Sequence, residues 1–258
     1  MSNTLNPFEA SRLKLARARQ HIDEFKKKTD AYLAREPFAI VVDQPKMWVD
    51  MNCQAWCAKI HEPIDAGLSG ILGDAIHNLR TSLDLLATDL VVVAGKNPKS
   101  VHFPFADSQS GLADQIKRKN FHRAGSAAVD LLKFLKPYKG GNEGLRALHD
   151  LDVMDKHKAL VPVAQSVVMN LSGMLPKDAP QKSKDDLSEW GTRISENDQQ
   201  VVIMPMAWGL PLGTKIKCSF ALILAEPKFV AGQELVGLLN EFARIVEVII
   251  EEFERTVT

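Results

Sequence analysis

Polar residues that could perform acid–base chemistry cluster in the segment 73–84. A turn of about 100° per residue places five of them in one sector of a helical wheel. They are Asp74, His77, Arg80, Thr81 and Asp84. An imidazole can exchange a proton near neutral pH, and a guanidinium can stabilise the charge of a phosphate. The segment therefore predicts His77 as a general acid/base and Arg80 as a phosphate-stabilising group.

A second segment, 145–158, adds carboxylates to this candidate site. Leu145, Leu148, Leu151 and Met154 form its apolar stripe, while Asp155 projects near the middle of that stripe. Asp152 lies at the edge of the stripe. A carboxylate at the Asp155 position either marks the end of the helix or is buried and must be paired, because an unpaired buried charge costs several kcal/mol.

His77 and Arg80 are the expected partners of Asp155, and such pairing would raise the pKa of the histidine. The candidate catalytic set is completed by residues on both segments: His77, Arg80, Asp84, Asp155 and His157. Two other interpretations of the same residues stay open. One is a purely structural ion-pair cluster between helices, in which Arg80 and Asp84 form an i,i+4 pair.

The other interpretation is a metal site. Asp74-x-x-His77 and His149-x-x-Asp152-x-x-Asp155 have the i,i+3 spacing of carboxylate and imidazole that helical metal sites use. No second Glu-x-x-His element accompanies them. The catalytic interpretation itself calls for no cofactor and no metal.

Common enzyme signatures are absent from the sequence. It contains no phosphate-binding Gly-x4-Gly-Lys-Ser/Thr loop, no Gly-x-Gly-x-x-Gly and no Gly-x-Ser-x-Gly. His61-Glu62 is followed by Pro63 and Ile64, so it is not the His-Glu-x-x-His zinc motif. These absences disfavour nucleotide hydrolases, serine hydrolases of the common type and zinc proteases.

Composition indicates a globular protein. The chain has 258 residues, 45% hydrophobic and 25% charged, with 32 basic and 32 acidic residues. The neutral total conceals an uneven distribution, since 115–160 carries ten Lys and Arg against five acids, and 226–258 carries seven Glu against three basic residues. RNA or DNA could bind the basic region 115–160, with His122 and Tyr138 beside the cations. A solvated surface is the alternative interpretation of that region.

Elements along the chain predict an α+β fold. Helical periodicity marks six segments: 7–36, 63–94, 112–119, 126–135, 143–159 and 233–255. Alternating or short apolar runs mark five strands: 38–42, 47–57, 161–169, 201–206 and 216–224. Because the strands fall in two groups on either side of a helical segment, we expect an antiparallel or mixed sheet packed against a layer of long helices. We expect one domain over 1–258, with a mobile loop at 172–189.

Three cysteines, Cys53, Cys57 and Cys218, leave one thiol unpaired in any arrangement, and Cys-x3-Cys matches no zinc or redox pattern. A reducing cytoplasmic location follows as an expectation. Apolar runs fall short of the ~20 residues that cross a bilayer, so no membrane association is expected. The oligomeric state stays open, a homodimer included.

The motifs His77-Asn78-Leu79-Arg80, Phe103-Pro104, Pro137-Tyr138 and Asp155-Lys156-His157-Lys158 resemble a set of bacterial proteins of similar length. Members of that set carry a His-Asn-Leu-Arg helix and a later Asp-Lys-His-Arg segment, and no established activity comes with the resemblance. Lys158 replaces the final Arg of that segment. The match covers about residues 73–160.

The helical part is also similar to HEPN ribonucleases, a resemblance that implies metal-independent RNA cleavage. The chain departs from that family because it has no Arg-x4-6-His element. Three functional hypotheses result: phosphodiester cleavage of nucleic acid at the His/Arg/Asp cluster, a non-catalytic binding or defence-associated module with a structural cluster, and a helical metal-binding protein.

Overall fold

The computed structural model describes residues 7–43, 55–160, 162–169, 200–205, 218–224 and 230–257. Its α-helices are α1 (Glu9–Leu33), α2 (Gly67–Val93), α3 (Leu112–Arg118), α4 (Ser126–Leu135), α5 (Glu143–Asp155) and α6 (Leu235–Val257). A 3₁₀ turn spans Phe121–Ala124. The strands are β1 (Phe38–Asp43), β2 (Ala55–Ile60), β3 (Pro162–Met169), β4 (Gln200–Pro205) and β5 (Cys218–Leu224).

The chain divides into two compact units, where sequence analysis predicts one domain. The helical unit comprises Met1–Lys26, Gly67–Leu160 and Val236–Thr258. The strand unit comprises Lys27–Ala66 and Val161–Leu235 and contains all five described strands. The chain passes between the units inside α1, after Lys26.

The α+β prediction is wrong. The described residues are mainly helical, and their strands do not form one sheet packed on a layer of long helices. Instead, β2 pairs antiparallel with β1 on one side and with β4 on the other. The strands β3 and β5 form a separate antiparallel pair. The strands belong to one unit and α2–α6 almost entirely to the other, so the long helices bury their apolar faces on one another.

Some predicted segments lie wholly or partly outside the residues that the structure describes, among them the strand ends at 161, 206 and 216–217. Residues 47–54 of the predicted strand 47–57, with Cys53 among them, lie outside the described residues. The predicted loop at 172–189 lies outside them as well.

Apolar stripes at helical spacing form the core of the helical unit. On α2, the predicted stripe is at most 1% exposed: Leu72, Ile76, Leu79, Leu83, Leu86 and Leu90. Because side chains three and four residues apart share one helix face, this spacing gives α2 a continuous buried surface. The predicted stripe of α6 is buried in the same way at Leu239, Phe242, Val246 and Phe253.

Aromatic rings fix the segment that follows α2. Phe103 is fully buried, and its ring centroid lies 6.1 Å from that of Phe121 and 6.4 Å from that of Phe253 on α6. Edge-on contacts of this kind favour one orientation of each ring in addition to burying apolar area. The backbone of 101–106 is thereby held beside α2, where it contacts the polar residues described next.

None of the helices in the described part of the chain is both long enough and apolar enough to span a membrane.

Candidate functional site

His77 on α2 contacts Asp152 on α5. His77 Nδ1 lies 2.9 Å from Asp152 Oδ1, and Lys156 Nζ lies 2.6 Å from Asp152 Oδ2. The Asp152 side chain is only 3% exposed, whereas those of His77 and Lys156 are 54% and 53% exposed. A buried carboxylate is therefore paired with two cationic or polar groups that reach solvent.

This pairing fixes the tautomer of the neutral His77 ring. An ionised carboxylate only accepts hydrogen bonds, so Nδ1 must carry the hydrogen that is donated to Asp152. The second nitrogen, Nε2, then presents a lone pair. Thr81 Oγ1, one helical turn further along α2, lies 3.4 Å from that nitrogen.

Arg80, which sequence analysis assigns to phosphate, is buried in a different cluster. Its Nη1 forms an ion pair with Asp84 Oδ1 at 2.8 Å. Its Nη2 donates to the Phe103 carbonyl at 3.3 Å, and Asp84 Oδ1 in turn accepts from the Phe103 N–H at 2.8 Å. The side chain of Arg80 is 9% exposed. These contacts make Arg80 and Asp84 anchors for the segment after α2.

A stack of planar groups lies beside this anchor. The Arg80 guanidinium carbon is 4.6 Å from the centre of the Phe105 ring, and the His149 ring stacks on Phe105 at 4.3 Å with an interplanar angle of 5°. Arg80 Nε donates to His149 Nδ1 at 3.3 Å. A guanidinium and a neutral imidazole can both lie against an aromatic face, which accounts for the arrangement.

Burial, aided by the charges of Arg80 and Arg146, lowers the pKa of His149 to about 4. The ring is therefore neutral at physiological pH and accepts the Arg80 hydrogen bond with its Nδ1 lone pair. The sequence pattern indicates His149 only as a metal ligand, whereas its contacts anchor Arg80.

The expected pairing of Asp155 with His77 or Arg80 is wrong. Neither a hydrogen bond nor an ion pair joins Asp155 to either side chain within the described part of the chain. Asp155 is the last residue of α5, and its carboxyl group lies against Gly73 of α2, where a Cβ atom would come within 2.5 Å of Oδ2. Burial raises the pKa of Asp155, and the backbone of Leu160 opposes this effect.

The five predicted catalytic residues are thus separated by the fold. His77 pairs with Asp152, Arg80 pairs with Asp84, Asp155 packs on Gly73, and His157 lies exposed in the turn after α5. Asp152 and Lys156 are site residues missing from the predicted catalytic set, although Asp152 is part of the metal interpretation of the sequence. The sequence signal for Asp152 is its spacing. It lies on the same face of α5 as Leu145 and Leu148, as Leu151 also does, so it is expected to be buried.

Several cations of the basic region 115–160 are buried or paired with acidic residues, so they are not all available to a ligand. Arg146 is buried, donating to the Ala106 carbonyl at 2.8 Å and pairing with Asp150 at 2.7 Å. Lys139 pairs with Asp107 and Lys133 with Asp130. Exposed cations remain at Lys117, Arg118 and Lys136, along with the half-exposed Lys156.

The metal interpretation gains no support from the geometry. Across the described residues, no three His, Cys, Asp or Glu side chains come together in a way that could hold a metal ion. Packing of α2 against α5 brings Asp152 to His77, but Lys156 lies on the other oxygen of that carboxylate.

Comparison of the chain with family models, with curated proteins and with solved structures yields no match. The resemblance to the bacterial set and to HEPN ribonucleases therefore stays an expectation from the motifs.

Proposed function

We propose that the protein cleaves phosphodiester bonds of nucleic acid, with His77 as the general acid/base. The observation that carries the proposal is the His77–Asp152 pair, in which a half-exposed imidazole is bonded at 2.9 Å to a carboxylate that is 3% exposed. A base held by a buried orienting group and open to solvent on its other side is the arrangement that proton-transfer sites need.

The buried carboxylate serves two purposes in this arrangement. It holds the imidazole in one tautomer and one orientation, with Nε2 toward solvent. It also stabilises the imidazolium that forms when Nε2 takes a proton. General acid–base catalysis by a positioned side chain contributes about 10²- to 10⁴-fold to a rate.

One cation beside the His77–Asp152 pair, Lys156, supports a phosphate-containing substrate. Lys156, on the same carboxylate as His77, is half exposed and can contact a phosphate oxygen without losing its ion pair. Arg80 is a positioning residue in this proposal, because its guanidinium is occupied by Asp84, Phe103 and His149. Exposed cations of 115–160 would bind the rest of the strand. We expect the activity in the cytoplasm, as the odd number of cysteines predicts.

The test uses purified protein and end-labelled oligonucleotides, single- and double-stranded, of RNA and of DNA. Reactions contain EDTA so that contaminating metal-dependent nucleases do not contribute. We expect wild-type protein to cleave at least one of the four substrates. His77→Ala should lower the rate by about 100-fold or more, and Asp152→Asn should also lower it, since the ring loses its orienting charge.

The matched control is His61→Ala, which removes an exposed histidine of the strand unit. It should cleave at the wild-type rate. Circular dichroism and thermal unfolding of each variant separate a loss of activity from a loss of fold. Equal cleavage by wild-type and a folded His77→Ala protein would refute the proposal, as would no cleavage of any substrate.

A non-catalytic binding module is the second candidate, favoured by the Arg80 cluster. Arg80, Phe103 and Phe105 are almost fully buried and hold polar atoms between helices, as a structural cluster would. For such a module, His77→Ala would lower only the stability of the protein. Oligonucleotide binding, measured by fluorescence anisotropy, would be unchanged, and neither wild-type protein nor any variant would cleave.

A further inference from the structure

A hydroxyl group completes the His77–Asp152 pair on its solvent side. Thr81 Oγ1 lies 3.4 Å from His77 Nε2, and both residues are on α2 one turn apart. Residues four apart on a helix face the same side, so the contact follows directly from the spacing. Thr81 is partly exposed, so a substrate can reach its hydroxyl group.

The direction of the hydrogen bonds gives this contact chemical meaning. Asp152 accepts from His77 Nδ1, so Nε2 of the neutral ring bears the lone pair. The Thr81 hydroxyl must then donate its hydrogen to Nε2. The order is hydroxyl, imidazole, carboxylate, with distances of 3.4 and 2.9 Å. A hydroxyl that donates to a base oriented by a third group is an activated nucleophile, and such bonds are often long before a substrate binds.

The next threonine of the same helix shows a different arrangement. Thr88 Oγ1 donates to the Asp84 carbonyl at 3.0 Å, the usual bond of a helical threonine to the residue four positions earlier. A backbone carbonyl cannot take the proton away. Ser82, next to Thr81, is fully buried and donates to the Ser11 carbonyl at 2.7 Å. Among these three hydroxyls, Thr81 is the one that faces a base.

We propose that Thr81 is a nucleophile that attacks phosphorus in phosphoryl substrates, a role that rests on the proposed function of His77 as the base. Thr81 Oγ forms a bond to phosphorus while its proton moves to His77 Nε2. The bond from phosphorus to the leaving oxygen breaks, and His77 returns the proton to that oxygen. Water then attacks phosphorus while one of its protons moves to His77 Nε2, the bond from phosphorus to Thr81 Oγ breaks, and His77 returns the proton to Oγ, which restores the hydroxyl and releases the product. No oxidant, reductant or metal enters the balance.

Lys156 suits this reaction because its ammonium group lies 2.6 Å from Oδ2 of the same carboxylate that holds His77. A cation beside the attacked phosphorus stabilises the charge on the non-bridging oxygens as the new bond forms. Nucleic-acid phosphodiesters and small activated phosphoryl compounds share this chemistry.

The test uses a biotin-tagged fluorophosphonate, which reads the nucleophile without knowledge of the natural substrate. In the labelling reaction, Thr81 Oγ bonds to phosphorus, fluoride leaves, and the threonine proton departs with it through His77. We expect stoichiometric labelling of wild-type protein. Mass spectrometry of the tryptic peptide that carries Thr81, Ser82 and Thr88 should place the label on Thr81.

Four variants test which side chains the labelling reaction requires. Thr81→Val, which keeps the shape and removes the hydroxyl, should abolish labelling, and Thr81→Ser should retain it. His77→Ala should lower the labelling rate by about 100-fold or more, since the base is lost. Thr88→Val is the matched control on the same helix and should be labelled like wild-type protein. Each variant is checked for folding by circular dichroism.

Oligonucleotide cleavage separates this inference from the proposed function. If Thr81→Val is folded and cleaves as fast as wild-type protein while His77→Ala does not cleave, water is the nucleophile and the Thr81 proposal is wrong. If His77→Ala cleaves normally, the proposed function itself fails. Label on Ser82 or Thr88, or no label on folded wild-type protein, would also overturn the assignment of Thr81.

Discussion

Arg80 Nε donates a hydrogen bond to His149 Nδ1 at 3.3 Å, joining α2 to α5 through a neutral imidazole. Protonation of His149 would remove the acceptor and place a second positive charge beside the guanidinium. Burial also disfavours the charged ring, and the pKa of His149 is lowered to about 4. This hydrogen bond between the two helices therefore depends on the protonation state of His149.

This lowered pKa makes stability depend on pH. Below pH 6.5, the ordinary pKa of histidine, His149 becomes protonated in the unfolded chain. In the folded protein it stays neutral down to about pH 4. The free energy of unfolding should fall as the pH is lowered through that window, by about 3 kcal/mol from His149. Urea unfolding followed by circular dichroism at several pH values from 4 to 7 measures it.

The variant His149→Asn isolates this contribution. The asparagine Oδ1 can replace Nδ1 as the acceptor for Arg80, but the side chain does not titrate. The difference in unfolding free energy between wild-type protein and the variant should change over pH 4 to 6.5 and stay constant above pH 7. A constant difference over the whole range would contradict the lowered pKa.

Local periodicity explains why the helices could be predicted from sequence. The segment 126–135 is predicted with the bounds that α4 has, and the stripe from Leu72 to Leu90 is buried as predicted. Such stripes depend only on spacing within one helix. The partition into a helical and a strand unit depends on contacts between distant segments, which spacing does not encode.

The choice between Asp152 and Asp155 is also decided by distant contacts. Three residues apart on a helix, they differ by about 60° around its axis. A rotation of α5 by that angle, with a shift of about 4.5 Å along its axis, would exchange their positions. The packing of both helices therefore selects Asp152 as the partner of His77. Gly73 then leaves room for Asp155 beside α2.

Two glycines of α2 should respond in opposite ways to alanine. A Cβ atom at Gly70 would meet open space, so Gly70→Ala should stabilise the helix by about 0.5–1 kcal/mol. At Gly73 a Cβ would lie 2.5 Å from Asp155 Oδ2, so Gly73→Ala must displace that carboxyl group. We expect Gly73→Ala to lower the melting temperature and Gly70→Ala to raise it.

The double variant Gly73→Ala with Asp155→Ala tests whether the Asp155 carboxyl group is the reason that Gly73→Ala destabilises the protein. Once the carboxyl group is gone, the alanine at 73 should stabilise the helix about as much as the one at 70. If Gly73→Ala remains destabilising with Asp155→Ala, then the close approach of Asp155 is not the reason. Differential scanning calorimetry of wild type, Gly70→Ala, Gly73→Ala, Asp155→Ala and the double variant gives the comparison.

Asp152 should couple His77 and Lys156 energetically. Removing either partner leaves the buried carboxylate with the other one, so His77→Ala and Lys156→Ala should each cost about 1 kcal/mol. Removing both leaves an unpaired buried charge, which should cost about 3–5 kcal/mol. Urea unfolding of the single and double variants measures this non-additivity.

The same pair of substitutions in an Asp152→Asn background is the control. Without the negative charge there is no buried ion to compensate, and the double variant should lose about the sum of the single losses. Additive losses in the wild-type background would contradict a dependence on the Asp152 charge.

Arg146 should act as a structural residue although it lies in the basic region. Its side chain is 10% exposed, with Nη1 donating to the Ala106 carbonyl at 2.8 Å and Nε donating to Asp150 Oδ2 at 3.1 Å. Arg146→Met should lower the free energy of unfolding by about 2–3 kcal/mol, since the buried carbonyl loses its donor. Arg146→Lys should recover little of this stability, because a single ammonium group cannot reach both acceptors as the planar guanidinium does.

Lys139→Met is the control. It removes an exposed cation paired with the exposed Asp107, so it should leave the free energy of unfolding unchanged within error. Equal losses at the two positions in urea unfolding would refute the distinction between a buried anchor and a solvated charge.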